Sequence, residues 1–136
     1  TGKHYEERVG MVNFSIVGRN AGTVERNQYS NYDAEFNERA RIVEILKDKY
    51  PKLDFVVGGA VSIDIFNKGS DKSQIVNKYF KEAIRTNQVI FVGDRVDFPG
   101  NDYALAEKLN RRKNGKVFKV DTWQDTQKLL KTEPFA

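Results

Sequence analysis

Three oxygen-bearing side chains follow an apolar run in the second half of the chain. Asp94 comes directly after QVIFVG, and Asn101 and Asp102 follow one short loop later. In an open parallel sheet, ligands bind at the carboxyl ends of the strands, and Mg²⁺ takes hard oxygen ligands of this kind. The pattern therefore fits a magnesium site made by Asp94, Asn101 and Asp102. It fits equally well a helix that is capped by Asn101 and Asp102, and spacing alone leaves both interpretations open.

Three arginines suit a second kind of ligand. Arg8, Arg19 and Arg26 lie along or just after the first predicted strand and its glycine-containing loop. A guanidinium group can hold a phosphate through two parallel N–H bonds, so the three together favour a phosphorylated small molecule. Each arginine taken alone is also typical of an ordinary protein surface.

Ser62, Asp64 and Lys72 are the remaining polar candidates. Ser62 and Asp64 alternate with apolar residues in AVSIDIF, so in a strand they share a face and lie roughly 7 Å apart. They suit hydrogen bonds to the hydroxyl groups of a sugar, although a solvent-facing strand explains them as well. Lys72 falls in the first turn of a predicted helix, where the helix dipole disfavours a cation. Its position indicates either an anionic ligand or plain solvation.

The first half of the chain has the pattern of about four strands and one long helix. The predicted elements are one strand over residues 5–17, or two with a break at Gly10, a helix over 33–50, and strands over 53–57 and 60–66. Between the first strand and the helix, GRNAGTVER predicts a loop that presents Arg19 and Arg26. Alternating strands beside one amphipathic helix favour a mostly antiparallel sheet covered on one side.

The second half alternates helix and strand. We expect a helix over residues 72–85, a buried strand in QVIFVGD, a helix from about residue 101, a strand over 116–120 and a last helix that opens on TWQD. Thr122 and Asp125 have the spacing of a capping box. Because an αβαβα order implies parallel strands joined by crossover helices, this half predicts a portion of a doubly wound sheet.

Composition excludes several classes of protein. The chain has 136 residues, 39% hydrophobic and 31% charged, with a net charge of +4. No apolar window is long enough to span a membrane, and basic runs interleaved with aromatic residues, which are typical of nucleic-acid binding, are missing. The lack of cysteine excludes a disulfide scaffold and a thiolate zinc site and is compatible with a reducing compartment. We therefore expect a cytoplasmic protein that binds neither nucleic acid nor a membrane.

Together, these motifs resemble those of the eukaryotic-type phosphomannomutases of the haloacid dehalogenase superfamily. The segments that carry the resemblance are Arg8 with GMVNFSIVGRNAGTVER, then VGGAVSIDIFNKGSDK, then FVGDRVDFPGND. They extend over essentially the whole chain, and both the residue identities and the spacings between motifs agree with those of the family. The combination is far more specific than any one motif.

The resemblance implies a role for each candidate in the first half. Arg8, Arg19 and Arg26 fall at the separations of the family's three sugar-phosphate arginines. Ser62 and Asp64 fall on its two hexose-contacting positions in the GGxxSxD element. The implied ligands are a hexose phosphate substrate and a sugar bisphosphate activator.

In the second half, the resemblance implies residues that act on the phosphoryl group. Lys72 falls on the lysine that steadies the aspartyl-phosphate, and Asp94 falls on the magnesium-binding aspartate of the GD motif. Asn101 and Asp102 match the family's ND pair. The implied catalytic residues are thus Lys72 and Asp94, and the implied cofactor is Mg²⁺ at Asp94, Asn101 and Asp102.

The resemblance also implies the fold class and the reaction. The fold would be α/β, with an α+β cap domain, an antiparallel sheet with a helix, over residues 1–67 and the C-terminal part of a Rossmann-like core domain, αβαβα, over 68–136. The reaction would interconvert mannose 6-phosphate and mannose 1-phosphate through an aspartyl-phosphate and a sugar bisphosphate, a step towards GDP-mannose. Cap arginines would hold the phosphate that is not reacting, whereas Lys72 and Asp94 would neutralise the one that is.

The sequence departs from the family at one motif. The DxDGT motif, which supplies the nucleophilic aspartate and an acid-base aspartate in that family, does not occur among the 136 residues. We therefore expect the C-terminal portion of such an enzyme, inactive by itself, with a complementing N-terminal segment or a second copy of the chain as its protein partner. Two alternatives stay open: a sugar-phosphate phosphatase of the same superfamily, and a non-catalytic module that binds sugar phosphates.

Overall fold

The computed structural model describes residues 1–132 and 135, and it mixes short helices with short strands. In chain order, the elements are β1 Tyr5–Arg8, β2 Met11–Ser15, α1 Thr23–Phe36, α2 Glu38–Lys49, β3 Leu53–Gly58, β4 Ser62–Asn67, α3 Gln74–Lys78, α4 Ala83–Thr86, β5 Val89–Gly93, α5 Tyr103–Asn110, β6 Gly115–Lys119 and α6 Trp123–Leu129. One sheet is antiparallel and the other is parallel. The predicted α/β class is confirmed.

The chain forms two compact units. The first unit contains Thr1–Asp71 together with Pro99–Asn101, and the second contains Lys72–Phe98 and the chain from Asp102 onward. The short segment Pro99–Asn101 belongs to the first unit because the backbone N–H of Val57 donates to the carbonyl of Pro99 at 2.9 Å. The assignment of residues 1–67 to a cap domain and 68–136 to a core domain stays a prediction.

The first unit is built on a four-stranded antiparallel sheet in the order β1-β2-β4-β3. Its core contains Val43 from α2 packed against Phe55, Val57 and Ile63 from β3 and β4. Each such buried aliphatic or aromatic side chain contributes about 1.5–3 kcal/mol. Because successive side chains of a strand point to opposite faces, Ile63 and Ile65 of β4 face this core. The residues between them lie on the opposite face of the sheet.

The helical part of the first unit differs from the prediction. In place of one helix over residues 33–50, the structure has α1 and α2, which are separated by Asn37 in the left-handed conformation at φ 53°. The loop predicted by GRNAGTVER ends at Gly22, so Arg26 lies on α1 and not in a loop. The sequence of α1, TVERNQYSNYDAEF, is mostly polar, and its buried residue is Asp33. Tyr29, Tyr32 and Phe36 contact one another along the helix, but Tyr32 and Phe36 are exposed, so no apolar stripe faces the core.

The second unit pairs β5 and β6 in parallel, as predicted. Its core consists of Val76, Ile84, Leu105 and Leu109. The single helix predicted over residues 72–85 is wrong, because α3 ends at Lys78 and α4 starts at Ala83. Tyr79 and Phe80, which lie between α3 and α4, are exposed. Neither glycine nor proline interrupts this stretch, and nothing in its local sequence explains the break.

The last helix begins as predicted. The backbone N–H of Asp125 donates to the hydroxyl of Thr122 at 3.3 Å, and the backbone N–H of Thr122 donates to the Asp125 carboxylate at 3.0 Å. This reciprocal pair is a capping box. It satisfies two backbone donors that the first turn of a helix leaves unpaired.

The helices are short compared with a lipid bilayer. The longest, α1, has 14 residues, whereas a membrane span needs about 20 apolar residues. Within residues 1–132 and 135, no helix is long and apolar enough to cross a membrane.

Candidate active site

A polar surface covers the face of the first unit's sheet that points away from α2. The strand register pairs Glu6 with Asn13, Asn13 with Asp64, and Ser15 with Ser62. Paired residues share a face, as do residues two apart in one strand, so Arg8 joins them. This polar face consists of Glu6, Arg8, Asn13, Ser15, Ser62 and Asp64.

Asn13 lies at the centre of the polar face. Its side-chain amide donates to Asp64 Oδ1 at 2.5 Å, and its Oδ1 accepts a hydrogen bond from Arg19 Nη2. Asn101 Nδ2 approaches the second carboxylate oxygen of Asp64 at 3.5 Å. Asn13 and Asp64 are only 6% and 9% exposed. The network thus joins two predicted ligands, Arg19 and Asp64, through a residue that the sequence analysis did not single out.

Glu6 forms ion pairs with two of the three predicted arginines. Its Oε2 accepts from Arg8 Nε at 3.1 Å, from Arg8 Nη2 at 2.7 Å and from Arg19 Nη2 at 2.6 Å. The hydrogen bond from Arg8, aided by the charge of Arg19, lowers the pKa of the Glu6 carboxyl below its ordinary value. Arg8 and Arg19 therefore converge on one anionic oxygen in the way that a bound phosphate requires.

The third arginine lies on a helix. Arg26 is in the first turn of α1, partly buried, and its Nε donates to the carbonyl oxygen of Ala21 at 2.9 Å. It is thus held by a different element from Arg8 on β1 and Arg19 in the loop before α1.

Gly58 makes room for the carboxylate of Asp64. A Cβ atom at Gly58 would lie 2.6 Å from Asp64 Oδ2, a distance that non-bonded heavy atoms do not tolerate. The next residue, Gly59, has φ 53° and forms the turn into β4. The two glycines therefore have separate roles, one steric and one conformational.

In the second unit, the structure brings Lys72 and Asp102 together. The Lys72 ammonium forms an ion pair with Asp102 Oδ1, and the backbone N–H of Arg95 reaches Asp102 Oδ2 at 3.4 Å. Asp102 is 5% exposed, and a Cβ at Gly93 would lie 2.8 Å from its carboxylate. Asp102 occupies the N-cap position of α5 but makes no side-chain cap. Its carboxylate instead holds the ammonium of Lys72 near the end of β5.

The three residues predicted to bind magnesium have different surroundings. Asp94 is exposed, with Arg95 Nε 3.8 Å from its carboxylate, whereas Asp102 is bound by Lys72 and Asn101 belongs to the first unit. Across residues 1–132 and 135, no three His, Cys, Asp or Glu residues are grouped to hold a metal ion. Asp94 nevertheless fits Mg²⁺, because that ion is commonly held by one or two carboxylates together with phosphate oxygens and water.

Comparison with known proteins places the chain in a family. The sequence profile described as eukaryotic phosphomannomutase matches residues 1–133. The phosphomannomutase of Saccharomyces cerevisiae is 39% identical over an alignment of 136 positions that covers 98% of this chain and 51% of the yeast protein. Phosphomannomutase 1 of Dictyostelium discoideum is 35% identical over an alignment of 131 positions that covers 95% of this chain and 51% of that protein.

A third relative agrees over a shorter stretch. The phosphomannomutase of Schizosaccharomyces pombe is 40% identical over an alignment of 106 positions that covers 76% of this chain and 40% of that protein. The chain thus spans about half the length, or less, of these curated relatives. The resemblance found in the motifs is confirmed, and the chain belongs to the eukaryotic phosphomannomutase family.

Proposed function

We propose that this chain supplies the hexose-phosphate-binding and phosphoryl-stabilising parts of a phosphomannomutase. The complete enzyme would interconvert mannose 6-phosphate and mannose 1-phosphate through an aspartyl-phosphate and a sugar bisphosphate. The observation that carries the proposal is the polar face of the first unit, where Arg8 and Arg19 converge on one anionic oxygen beside the Asn13–Asp64 pair. Family membership supports the same activity.

The first unit would hold the sugar phosphate. Arg8 and Arg19 already bind the carboxylate of Glu6, and phosphate oxygens accept the same N–H groups. Arg26 would add a third guanidinium from α1. The hydroxyl of Ser62 and the carboxylate of Asp64 would bind hexose hydroxyls, because both residues lie on the same sheet face as Arg8.

The second unit would stabilise the phosphoryl group that reacts. The ammonium of Lys72, held by Asp102, would offset negative charge that develops on the phosphoryl oxygens. Asp94 would provide one carboxylate for Mg²⁺, which supplies further charge neutralisation when bound. Asn101 and Asp102 stay predicted ligands whose contacts in this structure are to Asp64 and Lys72.

The nucleophile of the reaction would come from outside these residues. No DxDGT motif occurs in the sequence, so we propose that the 136-residue chain has no turnover by itself. A complementing N-terminal segment would supply the aspartate that accepts the phosphoryl group. A homodimer, a cytoplasmic location and a role in supplying mannose 1-phosphate also stay predictions.

A complementation assay tests this proposal. The chain would be mixed with mannose 1-phosphate, glucose 1,6-bisphosphate and Mg²⁺, with and without a segment that carries DxDGT, and followed by ³¹P NMR. We expect mannose 6-phosphate only when the segment is present. Turnover by the chain alone would refute the assignment of the nucleophile.

Two further outcomes would change the assignment. If the chain binds the DxDGT segment but the resulting complex gives no turnover, the mutase assignment is wrong. Release of inorganic phosphate without any need for the bisphosphate would identify a phosphatase instead. Arg19→Ala should abolish turnover in the complemented mixture. The matched control, Arg41→Ala, at an exposed position on α2, should not.

A further inference from the structure

Arg39 is a buried arginine that binds the turn between β3 and β4. It lies in the first turn of α2 and is 3% exposed. Its Nη1 donates to the carbonyl oxygens of Gly58 at 3.2 Å, Gly59 at 3.0 Å and Ser62 at 3.1 Å. One guanidinium nitrogen therefore binds both ends of the turn, and so fixes the path along which the chain enters β4.

Asp33 holds Arg39 in place from the neighbouring helix. Asp33 Oδ2 accepts from Arg39 Nε at 2.8 Å, and Asp33 Oδ1 accepts from the backbone N–H of Arg39 at 2.7 Å. Asp33 is in the last turns of α1, and Asn37 forms the corner between the two helices. Both carboxylate oxygens thus bind a single residue, which leaves the guanidinium one orientation.

Arg39 thereby connects two elements that carry proposed ligands. Helix α1 bears Arg26 in its first turn and Asp33 near its end. The turn after Gly58 leads into Ser62 and Asp64. Because a helix is a rigid element, fixing the turn to the end of α1 also fixes the distance between Arg26 and the two β4 residues. All of these contacts lie within the first unit.

We propose that Arg39 is a positioning residue for hexose recognition, which sets Ser62 and Asp64 relative to Arg26 without touching the sugar phosphate. This inference rests on the proposed function of the polar face. Lysine cannot replace arginine here, because one ammonium lacks the planar fork that serves Asp33 and three carbonyl oxygens at once. Loss of the fork should impair recognition of the sugar ring more than recognition of phosphate.

Selective binding provides the test. The 136-residue chain would be titrated by calorimetry with mannose 1-phosphate and, separately, with inorganic phosphate. In Arg39→Lys we expect mannose 1-phosphate to bind about tenfold more weakly, since small displacements of positioned groups cost this much or more. Inorganic phosphate should bind within about twofold of the wild type, as for a surface change. Arg41→Lys, at an exposed position on the same helix, is the matched control and should change neither affinity.

Two further variants separate positioning from general stability. Asp33→Asn weakens the link between Arg39 and α1, so it should lower both the melting temperature and the preference for mannose 1-phosphate. Leu46→Ala removes a side chain that packs against the core two turns further along α2, so it should lower the melting temperature but keep the preference. If Asp33→Asn keeps the full preference, or Leu46→Ala loses it equally, the contribution of Arg39 is merely structural and the inference is overturned.

The two levels of the proposal fail in different ways. If the wild-type chain shows no preference for mannose 1-phosphate over inorganic phosphate, the proposed function fails and the role of Arg39 fails with it. If the wild type shows the preference and Arg39→Lys keeps it, the proposed function stands and only the positioning role is wrong.

Discussion

Replacing Asn13 with alanine removes the centre of the polar face. Asn13 makes two hydrogen bonds, one to the carboxylate of Asp64 at 2.5 Å and one from the guanidinium of Arg19. A hydrogen bond to a charged group contributes about 1.5–3 kcal/mol. The losses fall at the lower end, because Asp64 keeps the amide of Asn101 and Arg19 keeps Glu6. We therefore expect Asn13→Ala to lower the free energy of unfolding of the first unit by about 3 kcal/mol.

Amide hydrogen exchange measures this loss within the first unit. Val43 and Ile63 are 0% and 1% exposed in its core, so the opening free energy at their amides reports on that unit. A double-mutant cycle with Asp64→Ala should give a coupling of about 1.5 kcal/mol or more, as expected for a hydrogen bond to a carboxylate. Asn31→Ala, at an exposed position on α1, is the control and should not destabilise the unit. A coupling near zero would show that Asn13 and Asp64 are neighbours without a stabilising bond, and the network would have to be abandoned.

Two further substitutions test the surroundings of the candidate residues. Gly58→Ala should weaken binding of mannose 1-phosphate in calorimetry, because its Cβ would lie 2.6 Å from the Asp64 carboxylate. The control Gly59→Asn should bind nearly as the wild type does, since Asn tolerates the left-handed conformation and nothing lies within 4 Å of that Cβ. Equal affinities in the two variants would contradict the steric role of Gly58. Lys72→Met should destabilise the second unit by about 1 kcal/mol in urea, because the buried carboxylate of Asp102 loses its cation. The loss is small because Lys72 is half exposed and solvent screens its attraction to Asp102. An unchanged urea midpoint, read from the fluorescence of the single tryptophan, would show that the ion pair does not contribute to stability.

The strands and the last helix could be predicted from local sequence. Alternation in AVSIDIF placed Ser62 and Asp64 on one face of a strand, and the structure has them there on β4. Thr122 and Asp125 are three residues apart and form the expected capping box. Such features depend on side-chain direction and on nearby backbone groups, which the sequence specifies directly.

Helix α1 could not be predicted in this way. A surface helix is recognised by an apolar stripe that faces the core. In α1, Tyr32 and Phe36 are exposed and the buried residue is Asp33. One contact that joins α1 to α2 is the ion pair between Asp33 and Arg39. No sequence pattern marks these two charged residues as partners. Arg26 was therefore expected in a loop although it belongs to a helix.

The contacts of the candidate site between residues distant in the chain also could not be predicted from the sequence. Asn101 appeared as the neighbour of Asp102, but backbone pairing between Val57 and the segment after Phe98 assigns it to the first unit. Lys72 and Asp102 are 30 residues apart and meet only when α3 and α5 pack on β5. Glu6 and Asn13 became candidates only through the register between strands. A motif identifies which residues matter, but not which partners they have.

Chemical-shift mapping tests the central claim most directly, that the polar face of the first unit binds a hexose phosphate. Mannose 1-phosphate would be added to the ¹⁵N-labelled chain, with mannose and inorganic phosphate as separate controls. We expect the largest amide shifts at the residues of the polar face, together with Arg19 and Arg26. The full set is Glu6, Arg8, Asn13, Ser15, Arg19, Arg26, Ser62 and Asp64. Saturating shifts confined to other residues, or the same shifts with mannose alone, would contradict the claim.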